Sequence, residues 1–351
     1  MVSISDLPTC EGKTGWPWTE GSPRLPITMP DGSPWPRISI VTPSYNQGQF
    51  IEETIRSVLL QGYPNLEYII IDGGSTDASV EIIKKYEPWL AHWVSDPDRG
   101  QSHAINKGFA RATGDLVAWL NSDDLYVSDV LGRISKIWHE QKGIGFIHGV
   151  CEFIDFEGKK TGKFFGAQFN LIQTLETCRN VVAQPSTFIN HLALNEVGLV
   201  DESMSMSMDW DLWLRLGSRY PALFCPEVYS FFRLWPNAKS STILHRSGAD
   251  HLKSVKKLFA NGQTNGLDKK VVRRAIGIAY GRDALINYLS HNMMRFRYSF
   301  IRSFIFAPEL RGGMARNLIR QFCVGDTLLS YMSSVKKLAY KTYKRIGGPC
   351  R

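Results

Sequence analysis

From Ile38 to Gln141 short apolar segments alternate with segments of helical periodicity, and this alternation limits the fold more than any other feature. Residues 38–41 read as a strand, and 50–60 as a helix with Ile51, Ile55, Val58 and Leu59 on one face. Residues 66–71 follow as a buried strand, 79–86 as a helix, 93–94 as a short strand and 101–112 as a helix entered by polar residues. The next strand is 116–120 and the next helix 129–141. Strands joined through helices form right-handed crossover units, so we expect an α/β chain on a mostly parallel central sheet.

After Ile144 the pattern changes to β-like stretches at 146–154 and 187–189, a helix at 209–219 and strands at 223–224 and 228–232. Residues 241–259 and 269–289 read as helices, with further helical segments to Lys344. The expected organisation is an irregular arm at 1–36, a domain at 37–240 and a helical, basic extension at 241–351. The domain divides into a first half, about 37–125, and a second half, about 126–240. The arm is rich in Pro, Gly and Trp, which favour extended chain. Trp16, Trp18 and Trp35 offer large apolar areas for packing on the domain, or alternatively for an acceptor.

Charge is unevenly placed. The net charge of +8 arises beyond residue 290, where twelve Lys or Arg stand against two acids, so the preceding body carries −2. A near-neutral body argues against a nucleic-acid partner. The six cysteines show no C-x-x-C pair or zinc spacing, which suits reduced thiols in a cytoplasmic protein. No run of about 18 apolar residues occurs, and residues 1–30 lack a signal-peptide pattern, so neither a spanning helix nor secretion is expected.

In open parallel sheets ligands bind beyond the carboxyl ends of the strands. Three polar clusters occupy such ends: Thr42-Pro43-Ser44-Tyr45-Asn46, Asp72-Gly73-Gly74-Ser75-Thr76-Asp77 and Asn121-Ser122-Asp123-Asp124. Each alone is also a plausible turn or helix cap. Together they supply the parts of a nucleotide-sugar site. Tyr45 can cover a base, Asp72 can accept from a base N–H, and Asp123-Asp124 can meet a ribose hydroxyl and a divalent metal. Adjacent carboxylates are costly when dry unless a cation or hydrogen bonds compensate them.

These residues, in this order, resemble the family 2 glycosyltransferases from about residue 36 to 241. Four signatures carry the resemblance: VTPSYNQGQFIEETIRSVLLQ, IIIDGGSTDAS, DRGQSHAINKGFARATGD and WLNSDD. It implies a GT-A fold, a nucleotide-binding half, about 37–125, followed by an acceptor half, about 126–240, and inverting transfer from a nucleotide-diphosphate sugar to a glycan or lipid-linked acceptor. Carried over, Pro43 and Tyr45 frame the base and Asp72 bonds it, while Asp98, Gly100 and Gln101 lie near the nucleoside. In the D-x-D-type motif Asp123 sits at the ribose or diphosphate and Asp124 binds Mg2+ or Mn2+. Asn121 stands where many relatives carry a carboxylate. The catalytic base falls on Asp209 in the run Met208-Asp209-Trp210-Asp211, where Met208 replaces the family's Glu. Asp211 is expected to serve the helix N-terminus instead. Gln184-Pro185 resembles an element that shapes the sugar pocket or forms a turn, and Arg233 and Lys239 are secondary candidates for the diphosphate.

The turn after the first strand lacks the G-x-G-x-x-G of a dinucleotide-binding dehydrogenase. Absent membrane spans and an absent Q-x-x-R-W element disfavour a processive synthase. A catalytically degenerate nucleotide-sugar-binding protein remains the alternative, because of Met208. Near the end, Leu328, Val335 and Ile346 recur at helical spacing beside Lys336, Lys337, Lys341, Lys344 and Arg345. That pattern fits a helix on an anionic inner membrane face or one docked on the protein's own core.

Overall fold

The computed structural model describes residues 1–308 apart from 142, 244–245 and 261–265, so the expected basic helix around 328–346 lies outside the described residues. In chain order the elements are β1 (Ile38–Ser44), α1 (Ile51–Leu59), β2 (Leu66–Asp72), α2 (Ser79–Tyr86), β3 (His92–Ser95), α3 (Gln101–Phe109), β4 (Leu116–Trp119), β5 (Leu125–Tyr126) and α4 (Val130–Glu140). They continue with β6 (Phe146–Ile154), β7 (Lys160–Phe165), α5 (Leu171–Thr177), β8 (Thr187–Asn190), α6 (His191–Val197), α7 (Met208–Gly217) and β9 (Ala222–Arg233). The helices α8 (Lys239–Thr242), α9 (Ser247–Ala260), α10 (Lys269–Leu289) and α11 (Met293–Phe306) follow.

The strands form one sheet in the order β3-β2-β1-β4-β8-β6-β9-β5, with β7 paired to β6. The pairs β1–β2, β1–β4 and β2–β3 are parallel, as the alternating sequence requires. From β8 onward the sheet is mixed. β8 runs antiparallel to both β4 and β6, β6 pairs in parallel with β9, and β5 and β7 add antiparallel pairs.

Alternating residues on these strands feed two apolar layers. Ile38, Ile40, Ile70, Leu116 and Ala118 join α1, α2 and α4 in one cluster. Val41, Ile69, Ile71, Val117 and Trp119 face α3, α6 and α7 in the other. A strand covered on both faces must be apolar throughout, which is why these segments read as short continuous runs. The arm packs on the first layer: Leu7, Met29 and Trp35 are buried there, and the Arg56 guanidinium donates to the carbonyls of Pro8, Pro17 and Trp18. A further cluster joins α5 and α7 to α9 and α10 through Leu175, Trp210, Leu214, Val255, Leu258 and Ala279.

The edge that concerns function begins at Pro43. β4 pairs with β1 only as far as Val41, and Pro43, two residues on, points its missing N–H to that same side. Proline is tolerated because no ladder bond is lost where the neighbouring strand has ended. There β1 and β4 diverge, leaving the crevice in which open α/β sheets place ligands.

Arg233 closes the structure across this edge. Its guanidinium donates to Glu53 Oε2 at 2.7 Å, to the Asp123 carbonyl at 3.0 Å and to the carbonyls of Asp155 and Phe156 at 3.3 and 3.0 Å. The Arg233 side chain is 2% exposed and that of Glu53 20%. Replacing Arg233 by Met keeps the volume but strands a shielded carboxylate and three carbonyls, so the expected loss of folding stability is about 3 kcal/mol. Urea denaturation measures it; a loss below about 1 kcal/mol, the range of surface ion pairs, would mean the pair is solvated.

Candidate active site

The three polar strand ends meet at one edge. Gly73 N donates to the Ser44 carbonyl, Asn46 N to Ser75 Oγ, Thr76 N to Asn46 Oδ1 and Gly48 N to Asp77 Oδ2, so the loops after β1 and β2 are stitched together. Tyr45 projects from this seam, 61% exposed, while Pro43 is buried in β1. Asp72 is fully buried, and it already accepts from Gly74 N, Ser75 N and Ser95 Oγ on Oδ2 and from Ser75 Oγ on Oδ1. Its visible work is to fold its own loop, with Oδ1 the less occupied oxygen. Asp98 is half-buried, accepts from Gly100 N at 2.6 Å, and lies so close to Gly73 that a Cβ there would stand 2.7 Å from Asp98 Oδ2.

The structure separates the adjacent carboxylates. Asp124 is 1% exposed; its Oδ1 accepts from Arg233 N at 2.9 Å and its Oδ2 from Asn121 Nδ2 at 3.2 Å. Thr54 Oγ1 fixes its carbonyl at 2.8 Å. Asp123 is half-buried, and its Oδ2 accepts from Trp235 Nε1 at 2.8 Å. Burial pushes both carboxyls above the ordinary range, and Asp124 further through the charge of Asp123. The sequence reading placed the metal on Asp124; in the fold Asp123 is the carboxylate that faces outward. Among the described residues no three His, Cys, Asp or Glu side chains converge into a metal-holding group.

Asn121 explains its own departure from a carboxylate. Its Nδ2 donates to Asp124 Oδ2 and, at 3.1 Å, to Gln184 Oε1, while its Oδ1 accepts from Gln101 Nε2 at 2.7 Å. A carboxylate could not donate either of those bonds. Gln184 is itself tied to the Trp119 carbonyl, and Gln101 Oε1 accepts from Lys239 Nζ at 2.8 Å. A continuous chain therefore runs from Lys239 through Gln101 and Asn121 to Asp124. The Lys239 ammonium is held below the ordinary lysine value by burial, against the opposing charges of Asp209 and Asp250. Arg233, the other expected diphosphate candidate, is sequestered by the carbonyls and Glu53 described above.

Asp209 stands in the first turn of α7, half-buried, with Oδ2 accepting from Asn180 Nδ2 at 2.9 Å. Burial raises its proton affinity, while Asn180 and the Lys239 charge work against that rise. Asp211, two residues on, points elsewhere: it is 1% exposed and bonds Arg215 Nε at 2.8 Å and Lys257 Nζ at 3.2 Å. Its role is a buried ion pair, more than the helix-terminus charge expected. Met208 is buried in the apolar layer with Trp213 and Leu212, which gives a packing reason for its replacing an acid.

Sequence reasoning missed Asn180, Trp235 and the donor role of Asn121. Only their contacts reveal these roles, since Asn180 and Trp235 stand outside the motifs and the motif that holds Asn121 does not show which groups its amide meets. His103 accepts from Arg99 N through Nδ1 at 3.2 Å.

The family model described as Glycosyl transferase family 2 matches residues 39–188. A putative teichuronic acid biosynthesis glycosyltransferase, TuaG, of Bacillus subtilis (strain 168) is 42% identical over 210 residues, covering 59% of this chain and 82% of that protein. An uncharacterized glycosyltransferase of Rickettsia bellii (strain RML369-C) is 33% identical over 190 residues, 52% of this chain and only 26% of the relative. The chain likewise spans 36% and 44% of relatives from Nostoc sp. and Mycobacterium tuberculosis. Among solved structures, the mannosyltransferase PcManGT from Pyrobaculum calidifontis in complex with GDP-Man and Mn2+ superposes with a TM-score of 0.54 at 16% identity, covering 87% of this chain and 89% of that one. Residues 1-349 of S. aureus TarS in complex with UDP-GlcNAc give 0.53 at 14% identity, with 80% and 92% covered. These likenesses establish the GT-A fold. The four motifs lie on one sheet edge, and the Bacillus relative is matched over most of its length: the chain belongs to glycosyl transferase family 2.

Proposed function

We propose that the chain is an inverting glycosyltransferase, moving a sugar from a nucleotide-diphosphate sugar to an acceptor hydroxyl during assembly of cell-surface polysaccharide. The observation that carries this reading is the linkage of the Asp123-Asp124 pair to Asp209 along one edge, through Asn121, Gln101 and Lys239. The Bacillus relative's name supports the polysaccharide, and the ligands of the two structural neighbours support the donor class. Pro43, Tyr45, Asp98, Gly100 and Gln101 line the nucleotide side. Asp72 braces the loop beneath the base and keeps Oδ1 for it. The acceptor is a glycan or a lipid-linked saccharide, the latter requiring work beside a membrane.

The carboxylate pair fits Mg2+ or Mn2+. Two hard oxygen donors share a site in which, among the described residues, no ammonium or guanidinium is bonded to either carboxylate: Arg233 meets the pair through its backbone N–H and the Asp123 carbonyl. Asp123 would hold the ion, and Asp124 would sit behind it and fix the loop. When bound, the ion supplies positive charge against the departing nucleotide diphosphate. Asp209 takes the proton of the acceptor hydroxyl as that oxygen attacks from the face opposite the leaving group. Asn180 orients the carboxylate, and Lys239 keeps it ionised.

Asp209→Asn is expected to keep donor affinity and lose transfer by roughly 10²- to 10⁴-fold. Asp123→Asn should lose metal-dependent donor affinity, and Asp124→Asn should retain part of it. Calorimetry with UDP-sugars and GDP-sugars, with and without Mn2+, separates these, and equal loss of binding in Asp209→Asn and Asp123→Asn would overturn the assignment. A catalytically silent binder would show donor affinity with no turnover or hydrolysis in the unaltered chain.

The pH profile checks the base independently. Asp209 must be ionised to act, and burial sets its proton affinity above that of a free carboxyl, ordinarily about 3.9. The rate should therefore fall on the acid side at a pH above that value. Lys239→Gln removes a positive charge that favours ionisation, so the acid limb should move to higher pH. A limb unmoved in that variant would show that Lys239 does not face Asp209.

A further inference from the structure

Helix α11 is packed inside out. Its only buried residues are Ser299 and Ser303, whereas Met294 is 85% exposed, Tyr298 53%, Ile301 59% and Ile305 51%. Those four follow helical spacing and share one face, and Arg297 and Arg302 flank it on either side. The orientation is fixed from within. Ser299 Oγ and Arg295 Nε both donate to the buried carboxylate of Asp283 on α10, and a Cβ on Gly277 would meet Ala307 at 2.5 Å. Small and polar groups thus make the closest approach between α10 and α11, beside the buried Tyr280 ring that meets Tyr298 and Phe306, and Met294, Ile301 and Ile305 are held outward. An aromatic ladder, Tyr288-Phe296-Phe300-Phe304, runs beside them with successive centroids 5.3, 5.4 and 4.8 Å apart.

We propose that this face of α11 docks on an anionic lipid surface. A large exposed apolar face asks for an apolar partner, and the charges around it select which one. Residues 293–308 contain Arg295, Arg297 and Arg302 and no acid. A second copy meeting the same face would oppose Arg297 and Arg302 with their own kind. The chain's continuation, residues 309–351, carries nine Lys or Arg against two acids, a charge that does not complement the flanking arginines. An anionic leaflet complements the flanks, accepts Tyr298 and the phenylalanines at headgroup depth, and takes the stripe about 5–10 Å into its boundary. The inference gives a surface to the membrane contact considered above and stands apart from the transferase reading, because its test involves no turnover.

The test is co-sedimentation of the full chain with phosphatidylcholine vesicles, with and without about one-third phosphatidylglycerol. The unaltered chain should partition onto the anionic vesicles at low salt and be released at high salt. Arg297→Gln with Arg302→Gln should weaken partitioning about 30-fold, at about fivefold for each charge. Ile301→Asn with Ile305→Asn should weaken it at least about tenfold, by removing apolar burial. Both pairs alter exposed residues, and circular dichroism melting together with nucleotide-diphosphate affinity confirms an intact fold. Three results would overturn the proposal: no binding by the unaltered chain, undiminished binding by both double variants, or a dimer in sedimentation equilibrium that the Ile variant dissociates.

Discussion

Arg233 is the residue on which the two halves of the sheet depend. As the last residue of β9 it belongs to the second half of the sheet, yet its guanidinium reaches Glu53 on α1, the Asp123 carbonyl and the turn between β6 and β7. Its backbone N–H meets Asp124 Oδ1, so one residue grips the carboxylate loop twice. The Phe50 ring, 4.7 Å from the guanidinium, and Trp235, which bonds Asp123, complete the enclosure. A buried arginine is stable only with its donors matched, and here every partner comes from a segment that borders the crevice. The cation that sequence alone offers to a diphosphate instead holds the loop that carries the Asp123-Asp124 pair.

What was legible in the sequence follows from where burial is two-sided. β1, β2 and β4 are covered on both faces and read as apolar runs, and α1 and α4 present a single apolar face; both patterns survive in one dimension. The second half is less legible for particular reasons. β7, Lys160–Phe165, is largely exposed and charged, β5 spans two residues, and β9 continues through exposed Pro226 and Glu227, where the sequence suggests a break. The register of β6 against β9 shifts around Val150, so that break is absorbed within one strand. The site divides the same way. Asp123, Asp124 and Asp209 announce themselves by motif, but the Glu53 that neutralises Arg233 is 180 residues away in the chain.

Asp209 and Asp211 show how helical geometry sorts two identical side chains. A step of two residues turns the second carboxylate away from the crevice, into Arg215 and Lys257. With an arginine, a lysine and almost no solvent around it, Asp211 is tied up as structure. Asp209 has the Asn180 amide and the Trp210 backbone as neutral partners and keeps partial exposure. The less compensated of the two is therefore the one suited to the proposed role of base.

That start is set by the helices beyond β9. Asp250 on α9 accepts from Met206 N at 2.6 Å and Ser207 N at 3.2 Å, the two residues that lead into α7. The same carboxylate opposes the loss of Lys239's proton, and Lys239 in turn bears on Asp209. Trp210, next to Asp209, packs its ring 4.3 Å from that of His251, next to Asp250. Two neighbouring residues on α9 thus fix both the path of the chain into the first turn of α7 and the charge beside it. The helices beyond β9 are consequently continuous with the sheet domain in physical terms: remove α9, and two backbone donors at the N-terminus of α7 lose their acceptor just where the proposed base stands.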